Sequence, residues 1–493
     1  MKIRNGKRLA ALVAVGALLF VGCRSDDATT KASDAPTTTA GGATTTGAET
    51  TAGPETSTAE TSTAETTAET TAESTAETTP DTEAADTTTA ATDAPAEAWT
   101  VNVDDCADPD AATAPIEGDI RIGSAQPLSG TPAVAFAPVK QGMELYFQYA
   151  NDNNLIEGHT VSIDIRDDQY DPTQTPNVVS TLIDENVAFF SGIIGSPNNL
   201  AVRETLNEEC IPQLLNLTGA PDWGDSTNYP WTTGALVPYD IESKIYAATM
   251  KDLGVTTVGI FSVNNEFGKV YVDAFKEAAD EAGLEIVDEQ TIEPAETTPP
   301  TNQLGSLAGK KPDAIMAIPL GAQCPTFTKE LLNAKAVAGD WNPIVFQTNT
   351  CSSRLLIDLL AAGSADGVYT SGNLVDAADP KFAELPGIQA FKAAYDAAGL
   401  AGDIATTATG WNYAEATVNI INKALESGTL SRQSIMEAAR NLEFVPSLGR
   451  EGTVYKMSGD EDSFTFQSLT VLQWNQATNS FTEIGEHVTE FES

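Results

Sequence analysis

From residue 119 onward, short runs rich in apolar and β-branched residues alternate with longer segments whose apolar residues recur at helical spacing. The runs predict strands at 120–123, 161–165, 189–194, 211–216, 255–263, 314–318 and 343–347. The segments between them predict helices at 139–151, 176–185, from 198, at 267–282 and at 326–336. A helix at 411–425 and strand-like runs at 453–455 and 469–474 follow. This alternation predicts an α/β fold of right-handed βαβ units, with mostly parallel sheets covered by helices.

One set of strands and helices ends, and another begins, near residues 234–240. This division predicts two similar lobes, each with its own sheet. Ligands of open parallel sheets bind beyond the carboxyl ends of the strands, so the loops at those ends form the candidate site.

These loops are rich in hydroxyl, amide and glycine residues, and they contain neither a Cys-His pair nor a phosphate-binding GxxxxGK[ST] loop. Such residue types suit hydrogen bonding to a ligand rather than catalysis. The candidate contacts are Ser129, Ser196, Asn198, Thr218, Gly219, Phe267, Gln323 and Thr350. For the Ser, Asn and first Thr positions, the alternative is an ordinary role in helix capping or turns.

The first 22 residues have a different pattern, in which four basic residues precede an apolar run over 9–21. The run is too short to span a bilayer but is typical of a secretory signal. It ends in Gly22-Cys23 and resembles the bacterial lipoprotein signal, in which the Cys is lipidated and the chain is cut just before it. Phe20 stands where that family usually has Leu. We predict a signal peptide over 1–22 and a lipid on Cys23, with an ordinary secreted protein as the alternative.

Residues 24–98 contain no Val, Ile, Leu, Met, Phe, Tyr or Trp, and they repeat Ala-Glu-Thr imperfectly. Without apolar side chains to bury, such a segment cannot offset the entropy of ordering its backbone. We therefore expect a disordered tether over 23–98 that joins the lipid to the folded body. The sequence leaves open whether O-linked sugars modify its threonines.

The 493 residues include 26 Lys and Arg against 70 Asp and Glu, which gives a net charge of −44. This charge is divided into +4 over 1–23, −13 over 24–98 and −35 over 99–493. So negative a chain argues against nucleic acid as a partner, because phosphate binding requires Lys and Arg. The two histidines, His159 and His487, do not indicate a His-based triad or a His-rich metal site. We expect no metal and no cofactor, and we interpret the acidic pair at 167–168 as a turn.

Several short stretches follow one another along the body: IRIG through LSG over 120–130, DDQYDP at 167–172, GSP at 195–197, IP at 211–212 with TGAP at 218–221, and NEFG at 265–268. In this order and spacing, over about 119–480, the chain resembles the type 1 periplasmic binding proteins, specifically the Leu/Ile/Val-binding receptors of ABC importers. The resemblance implies two Rossmann-like lobes that are joined by a hinge of three crossings and close on a ligand in the cleft between them.

The resemblance also implies roles for individual residues. In this family, hydroxyl and backbone N–H groups of the first lobe hold the ligand's carboxylate, a role that falls by position on Ser196 and on Thr218-Gly219. A helix N-terminus suits an anion, because its free N–H groups point outward. Phe267 stands where family members often place an aromatic residue that covers the ligand.

In one place the chain departs from the amino-acid receptors of this family. They commonly have an acid after a second-lobe strand that pairs with the ligand's ammonium, whereas residues 347–351 read Gln-Thr-Asn-Thr-Cys. A buried ammonium without a counter-charge is costly. A ligand without a free amine, or the use of another acid, is therefore indicated.

Pattern and resemblance together predict the organisation of the whole chain. Its parts are the signal peptide (1–22), the lipidated Cys with the tether (23–98), an N-terminal arm (99–118), lobe 1 (119–236), lobe 2 (237–368), a return to lobe 1 (369–452), and a return to lobe 2 with the C-terminal tail (453–493).

Apart from Cys23, the chain has four cysteines, at 106, 210, 324 and 351, and an even number in an exported chain fits disulfides. Four cysteines allow three pairings. We favour Cys324 with Cys351, because both follow predicted neighbouring strands, and Cys106 with Cys210, which would attach the arm to lobe 1. Free buried thiols are the alternative.

We expect a monomeric solute receptor of a bacterial ABC importer, lipid-anchored outside the cytoplasm and docking on a membrane permease when closed. Its solute would be a small polar or carboxylate-bearing compound, such as an amino acid, an amide or a related molecule. The alternatives are a sensory protein of the same fold, a cell-surface enzyme, which the loops disfavour, and a structural surface protein with a vestigial cleft.

Overall fold

The computed structural model describes residues 98–488 except 360 and 362. The predicted signal peptide, Cys23 and the predicted tether as far as residue 97 lie outside the described residues. Within the described part of the chain, no helix is both long enough and apolar enough to cross a membrane.

The first lobe follows a short N-terminal arm. In chain order, the elements of this part are α1 (Pro109–Thr113), β1 (Asp119–Gln126), α2 (Ala133–Asp152), β2 (Thr160–Asp167), α3 (Thr175–Asp184), β3 (Phe189–Ser191), α4 (Ser196–Glu208), β4 (Gln213–Asn216) and β5 (Thr232–Gly234). The five strands form one parallel sheet in the order β2-β1-β3-β4-β5. The central strands are buried along most of their length, as is usual for a parallel sheet with helices on its faces.

The second lobe begins with a helix and continues the βα alternation. Its elements are α5 (Tyr239–Asp252), β6 (Thr257–Val263), α6 (Glu266–Ala282), β7 (Glu285–Ile292), α7 (Thr301–Lys310), β8 (Ala314–Ile318), α8 (Gln323–Ala338), β9 (Ile344–Gln347) and β10 (Tyr369–Gly372). The chain then continues through α9 (Pro386–Ala397), α10 (Ile404–Leu425), α11 (Arg432–Arg440), β11 (Glu443–Phe444), β12 (Tyr455–Lys456), β13 (Leu469–Asn475) and β14 (Ser480–Val488).

The second sheet has seven strands in the order β14-β13-β10-β9-β8-β6-β7. Strands β6 to β10 pair in parallel, and β13 and β14 add an antiparallel edge. The chain crosses between the lobes three times, as the resemblance implies. It leaves the first sheet after β5, returns after β10 to pack α10 along α2, and enters the second sheet again with β13.

Two of the crossings lie later in the chain than the sequence predicts. Strand β10 falls in the predicted return to lobe 1 (369–452), but it pairs with β9 and β13 in the second sheet. Strand β12 falls in the predicted return to lobe 2 (453–493), but it pairs with β11, and Phe464 bridges to Gly234 of the first sheet. The lobe to which each of these short strands belongs depends on partners far away in sequence. The local sequence pattern does not specify such partners.

Two glycines allow α2 and α10 to cross with their backbones in contact. A Cβ atom added at Gly142 of α2 would overlap the carbonyl oxygen of Thr407, and one at Gly410 of α10 would overlap the carbonyl oxygen of Val139. The crossing joins the returning chain to the first lobe.

The structure contains both predicted disulfides. Cys106 and Cys210, with Cα atoms 5.5 Å apart, join the N-terminal arm to the turn after α4. Cys324 and Cys351, with Cα atoms 5.8 Å apart, join the first turn of α8 to the 3-10 turn after β9. The second disulfide therefore links the chain segments that follow two neighbouring strands of the second sheet.

Glu415 of α10 is a buried carboxylate that holds the loop between β11 and β12. Its side-chain oxygens accept hydrogen bonds from the backbone N–H and the hydroxyl of Ser447, at 2.9–3.2 Å. Burial raises the pKa of Glu415 to about 7 from an ordinary value of 4.5, although the hydrogen bonds from Ser447 act in the opposite direction.

The free energy of unfolding should therefore fall as the pH rises from about 4.5 to about 7. In this interval the unfolded chain releases a proton that the folded chain retains; below it both states are protonated, and above it the loss is constant. At about 1.4 kcal/mol per pKa unit, the loss from Glu415 reaches roughly 3 kcal/mol. Glu415→Gln keeps an acceptor for Ser447 and should remove this part of the pH dependence. Urea unfolding across this range checks the expectation, and identical pH profiles for variant and wild type would contradict it.

Candidate functional site

A cavity of about 170 Å³ lies between the two lobes. On the first-lobe side, Gly195 follows β3 and Leu217 follows β4. On the second-lobe side, Phe267, Leu320 and Thr350 follow β6, β8 and β9. The cavity therefore lies at the carboxyl ends of both sheets, where open α/β folds bind their ligands.

Most of the cavity wall is apolar. The apolar side chains belong to both lobes and to the crossings, and they include Phe136, Val139, Ile194, Leu217, Leu236, Phe267, Leu320, Leu356, Leu374, Val375, Leu472 and Phe481. Hydroxyl and amide groups interrupt this wall, from Tyr170, Tyr239, Asn349, Thr350, Ser352, Ser353, Ser371, Asn373, Thr406 and Thr409. Such a wall fits a solute with an apolar body and few polar groups.

Phe267 and Thr350 are the two sequence-predicted contacts that line the cavity. Phe267 lies in the first turn of α6, where the side chain of Asn265 caps the helix by accepting a hydrogen bond from the N–H of Gly268 at 3.0 Å. The Phe267 ring packs edge-on against Tyr239, with centroids 5.5 Å apart. The hydroxyl of Thr350 shares a hydrogen bond of 2.7 Å with that of Thr348.

Ser196, Thr218 and Gly219 lie behind Tyr239, which itself lines the cavity. The Ser196 and Thr218 hydroxyls share a hydrogen bond of 2.6 Å, and the Tyr239 hydroxyl donates to Thr218 Oγ1 at 3.3 Å. A Cβ atom at Gly219 would come within 2.8 Å of the Tyr239 ring, so glycine permits this packing. In this arrangement the two hydroxyls are fully buried and bonded to each other rather than turned to the cavity.

Ser129, Asn198 and Gln323 lie away from the cavity wall and have structural partners. The Ser129 hydroxyl donates to the Asp167 carboxylate at 2.5 Å. The Asn198 amide donates to Asp168 at 2.9 Å. The Gln323 amide donates to backbone carbonyls of the loop after β7, and its Oε1 accepts from the N–H of Leu320. These are the turn and capping roles that such residue types commonly fill.

The loop at 347–351 contains no acid, but the structure places one carboxylate behind this loop and a second one in the cavity wall. Glu242 of α5 is fully buried, and its Oε1 accepts hydrogen bonds from Tyr246, Ser371 and the N–H of Asn349. Burial raises the pKa of Glu242, and these hydrogen bonds act against the rise. Because Ser371 and Asn349 line the cavity and Glu242 does not, the carboxylate lies behind the wall.

Asp376, the second of these carboxylates, lines the cavity directly. Its Oδ2 accepts a hydrogen bond from Arg354 Nε at 2.7 Å, and its Oδ1 accepts one from the N–H of Ala378 at 2.9 Å. Asp376 is thus already neutralised by an arginine.

Sequence reasoning missed the cavity residues that the crossings and returning segments supply. Asp376 follows β10, Thr406 lies in the first turn of α10, and Arg450 lies between β11 and β12. No local signal marks them, because the three-crossing topology brings them to the cleft. Tyr239, at the start of α5, could have been found, since it lies at the predicted junction of the lobes.

Comparison with known proteins agrees with this architecture. The sequence model of the periplasmic binding protein family matches residues 119–479. A curated relative, the Leu/Ile/Val-binding protein BraC3 of Rhizobium johnstonii, is 26% identical over 181 residues, which make up 36% of this chain and 48% of the relative. The chain thus spans about half the length of the curated relatives that it matches.

Three solved structures share the fold. A branched-chain amino acid ABC transporter protein from Thermus thermophilus with bound valine has a TM-score of 0.67 and 18% identity, and the match covers 76% of this chain and 97% of that one. A fatty acid ABC transporter substrate-binding protein from Thermomonospora curvata has a TM-score of 0.64 and 19% identity, with coverage of 77% and 95%. An ABC transporter solute-binding protein from R. palustris in complex with benzoate has a TM-score of 0.63 and 19% identity, with coverage of 76% and 99%. At these identities, the similarity establishes the fold alone.

Proposed function

Because the chain belongs to the periplasmic binding protein family, we propose that it is the extracytoplasmic solute receptor of an ABC importer. The lobes hold a small solute in the cavity between them, and the closed form delivers it to a membrane permease. The solute has a largely apolar body. This restricts the class of small polar or carboxylate-bearing compounds expected from the sequence to those with a substantial apolar part.

The observation that carries this proposal is the apolar cavity at the facing carboxyl ends of the two sheets. Leu236 of the first crossing and Leu374 and Val375 of the second contribute to its wall. Since crossing segments change conformation when two lobes close, a solute in contact with them would favour the closed form.

The chemistry of the wall also distinguishes between solute classes. The three structurally similar proteins are named for valine, fatty acids and benzoate, which all combine a carboxylate with an apolar body. A free ammonium would need a carboxylate, and Asp376 is already paired with Arg354. These features favour a solute without a free amine.

A thermal-shift screen of the full mature chain tests the proposed function. Benzoate, hexanoate, valine and glucose are the probes, and a solute at 100 times its dissociation constant should raise the free energy of unfolding by about 2.7 kcal/mol. We expect a shift with at least one of the two acids that lack an amine, and none with glucose. No shift with any probe, together with no co-purified small molecule by mass spectrometry, would contradict the function.

We also propose that a lipid on Cys23 anchors the protein to the bacterial cell membrane and that residues 23–98 act as its tether. The support is the lipoprotein-like signal of the sequence. A Cys23→Ser variant should lose the incorporation of labelled palmitate that the wild type shows. Equal incorporation in both proteins would refute the anchor at this position.

A further inference from the structure

The cavity wall contains one cationic side chain, Arg450, whose hydrogen-bond donors are only partly satisfied by protein groups. Among the described residues that line the cavity, the charged ones are Asp376 and Arg450. Asp376 is paired with Arg354 at 2.7 Å, and the side chains of both are mostly buried. Arg450 therefore decides the charge that this part of the wall presents to a ligand.

Arg450 is buried, with 9% of its surface exposed, and its hydrogen bonding is incomplete. Its Nη1 donates to Glu483 Oε1 at 2.6 Å. Its Nε is also buried but has no hydrogen-bond partner among the described residues. A guanidinium group has five N–H donors, and a buried donor without a partner costs free energy. A ligand oxygen at this place would satisfy that requirement.

Arg450 shares the carboxylate of Glu483 with a second cation, Lys381, which pairs with Glu483 at 3.2 Å. The carboxylate of Glu483 is about half exposed, so water screens its interaction with both cations. Among the described residues, the ion pairs at this end of the cavity join three cations, Arg354, Lys381 and Arg450, to the two carboxylates of Asp376 and Glu483. The network thus carries an excess positive charge beside an apolar wall.

We propose that Arg450 binds the carboxylate of the solute, while the body of the solute packs against the apolar wall. The inference rests on the proposed function and names its ligand class: monocarboxylic acids with an apolar body and no free amine. An arginine suits this role because its planar, charged donors match a carboxylate in geometry as well as in charge. This differs from the role that the family resemblance gives to Ser196 and Thr218, whose buried hydroxyls bond to each other.

Matched pairs of acids and amides test the inference on the unaltered protein. Benzoate with benzamide, and hexanoate with hexanamide, differ in the charge that Arg450 would bind and very little in shape. Isothermal titration of the full mature chain should give an acid affinity about 10- to 100-fold higher than that of the amide, as expected for a charged hydrogen bond in a buried site. An amide that binds as tightly as its acid would overturn the inference.

Variants then assign the preference to one residue. Arg450→Gln should lower acid affinity by about 10- to 100-fold and leave amide affinity nearly unchanged. Arg450→Lys keeps the charge without the planar donors. Its affinity for the acids should lie between those of the wild type and Arg450→Gln. Lys381→Gln is the matched control: it removes the other cation that pairs with Glu483, does not line the cavity, and should change acid affinity by less than about twofold.

The outcomes separate this inference from the proposed function. If the wild type binds acids and Arg450→Gln binds them equally well, Arg450 is not the recognition residue, and the receptor function stands. If the wild type binds neither acids nor amides, nor any other solute, the proposed function itself fails. If Arg450→Gln proves unfolded by circular dichroism, Arg450→Lys takes its place, and acid affinity equal to that of the wild type in Arg450→Lys would overturn the assignment to Arg450.

Discussion

Replacing Gly410 with alanine should lower the free energy of unfolding by about 3 kcal/mol or more, the upper range for overpacking of a core. The added methyl group would overlap the carbonyl oxygen of Val139 and approach the backbone nitrogen of Met143 to 2.9 Å. Both contacts are with backbone of α2, so no side-chain rotation can relieve them. The two helices would have to move apart.

Gly142→Ala, on the opposite side of the same crossing, should have a similar effect, because its methyl group would overlap the carbonyl oxygen of Thr407. Gly305→Ala is the matched control. Gly305 lies inside α7, and a Cβ atom there has nothing within 4 Å, so the substitution should be neutral or should stabilise by up to about 1 kcal/mol through helix propensity. Guanidinium unfolding of the three variants provides the measurement. Equal stability of Gly410→Ala and Gly305→Ala would show that the helices do not cross in this way.

The same crossing positions part of the cavity wall. Val139 of α2 and Thr406 and Thr409 of α10 line the cavity within one helical turn of the two glycines. Separating α2 from α10 would therefore displace cavity residues as well as lower stability. The packing of the returning chain and the shape of the binding cleft depend on one close helix contact.

Local pattern was sufficient for much of the fold. Each strand predicted between residues 120 and 347 has a counterpart in the structure, because buried parallel strands appear as short apolar runs separated by helices of regular length. The segments that follow most of these strands contribute residues to the cavity wall, although the loop after β1 does not. Strand β7 was not predicted, because it lies at the sheet edge and is mostly polar in sequence. The pattern also does not predict helix α5, although this helix directly follows the predicted junction of the lobes.

The residues that line the cavity are harder to predict from the sequence than the strands, because the topology of the crossings determines which residues reach the cleft. The sequence predicts Ser196, Asn198 and Thr218 as ligand contacts because they follow strands, but in the structure their hydroxyl and amide groups bond to neighbouring protein groups. Arg450 lies between two strands of two residues each, and nothing in its neighbours along the chain points to a cleft. Its place is decided by the third crossing and by the ion pair with Glu483, which lies 33 residues further on.

Removing the disulfide between Cys106 and Cys210 should lower the free energy of unfolding by about 4–5 kcal/mol, because the bond closes a long loop in the unfolded chain. The two residues are 104 positions apart, and the N-terminal arm adds few other long-range contacts with α4. One of them is the hydrogen bond of 2.8 Å from the N–H of Ala107 to the carbonyl of Glu208. Without the disulfide, the arm would keep its packing on α11 and the hydrogen bonds of Trp99 with Asn441, so the expected loss is mainly that of loop closure.

The second disulfide supplies the comparison that tests this explanation. Cys324 and Cys351 are 27 positions apart, so the same loop-closure argument predicts a smaller loss of about 3.5 kcal/mol. The two double alanine variants would be unfolded in guanidinium beside the wild type under oxidising conditions, and the wild type would be unfolded again after reduction. The 106/210 variant should be the less stable of the two. In solute titrations, by contrast, the 324/351 variant should lose more affinity than the 106/210 variant. Cys351 directly follows Thr350 of the cavity wall, whereas Cys106 and Cys210 do not line the cavity. A larger loss of stability in the 324/351 variant would show that native-state packing, rather than loop closure, determines what each disulfide contributes.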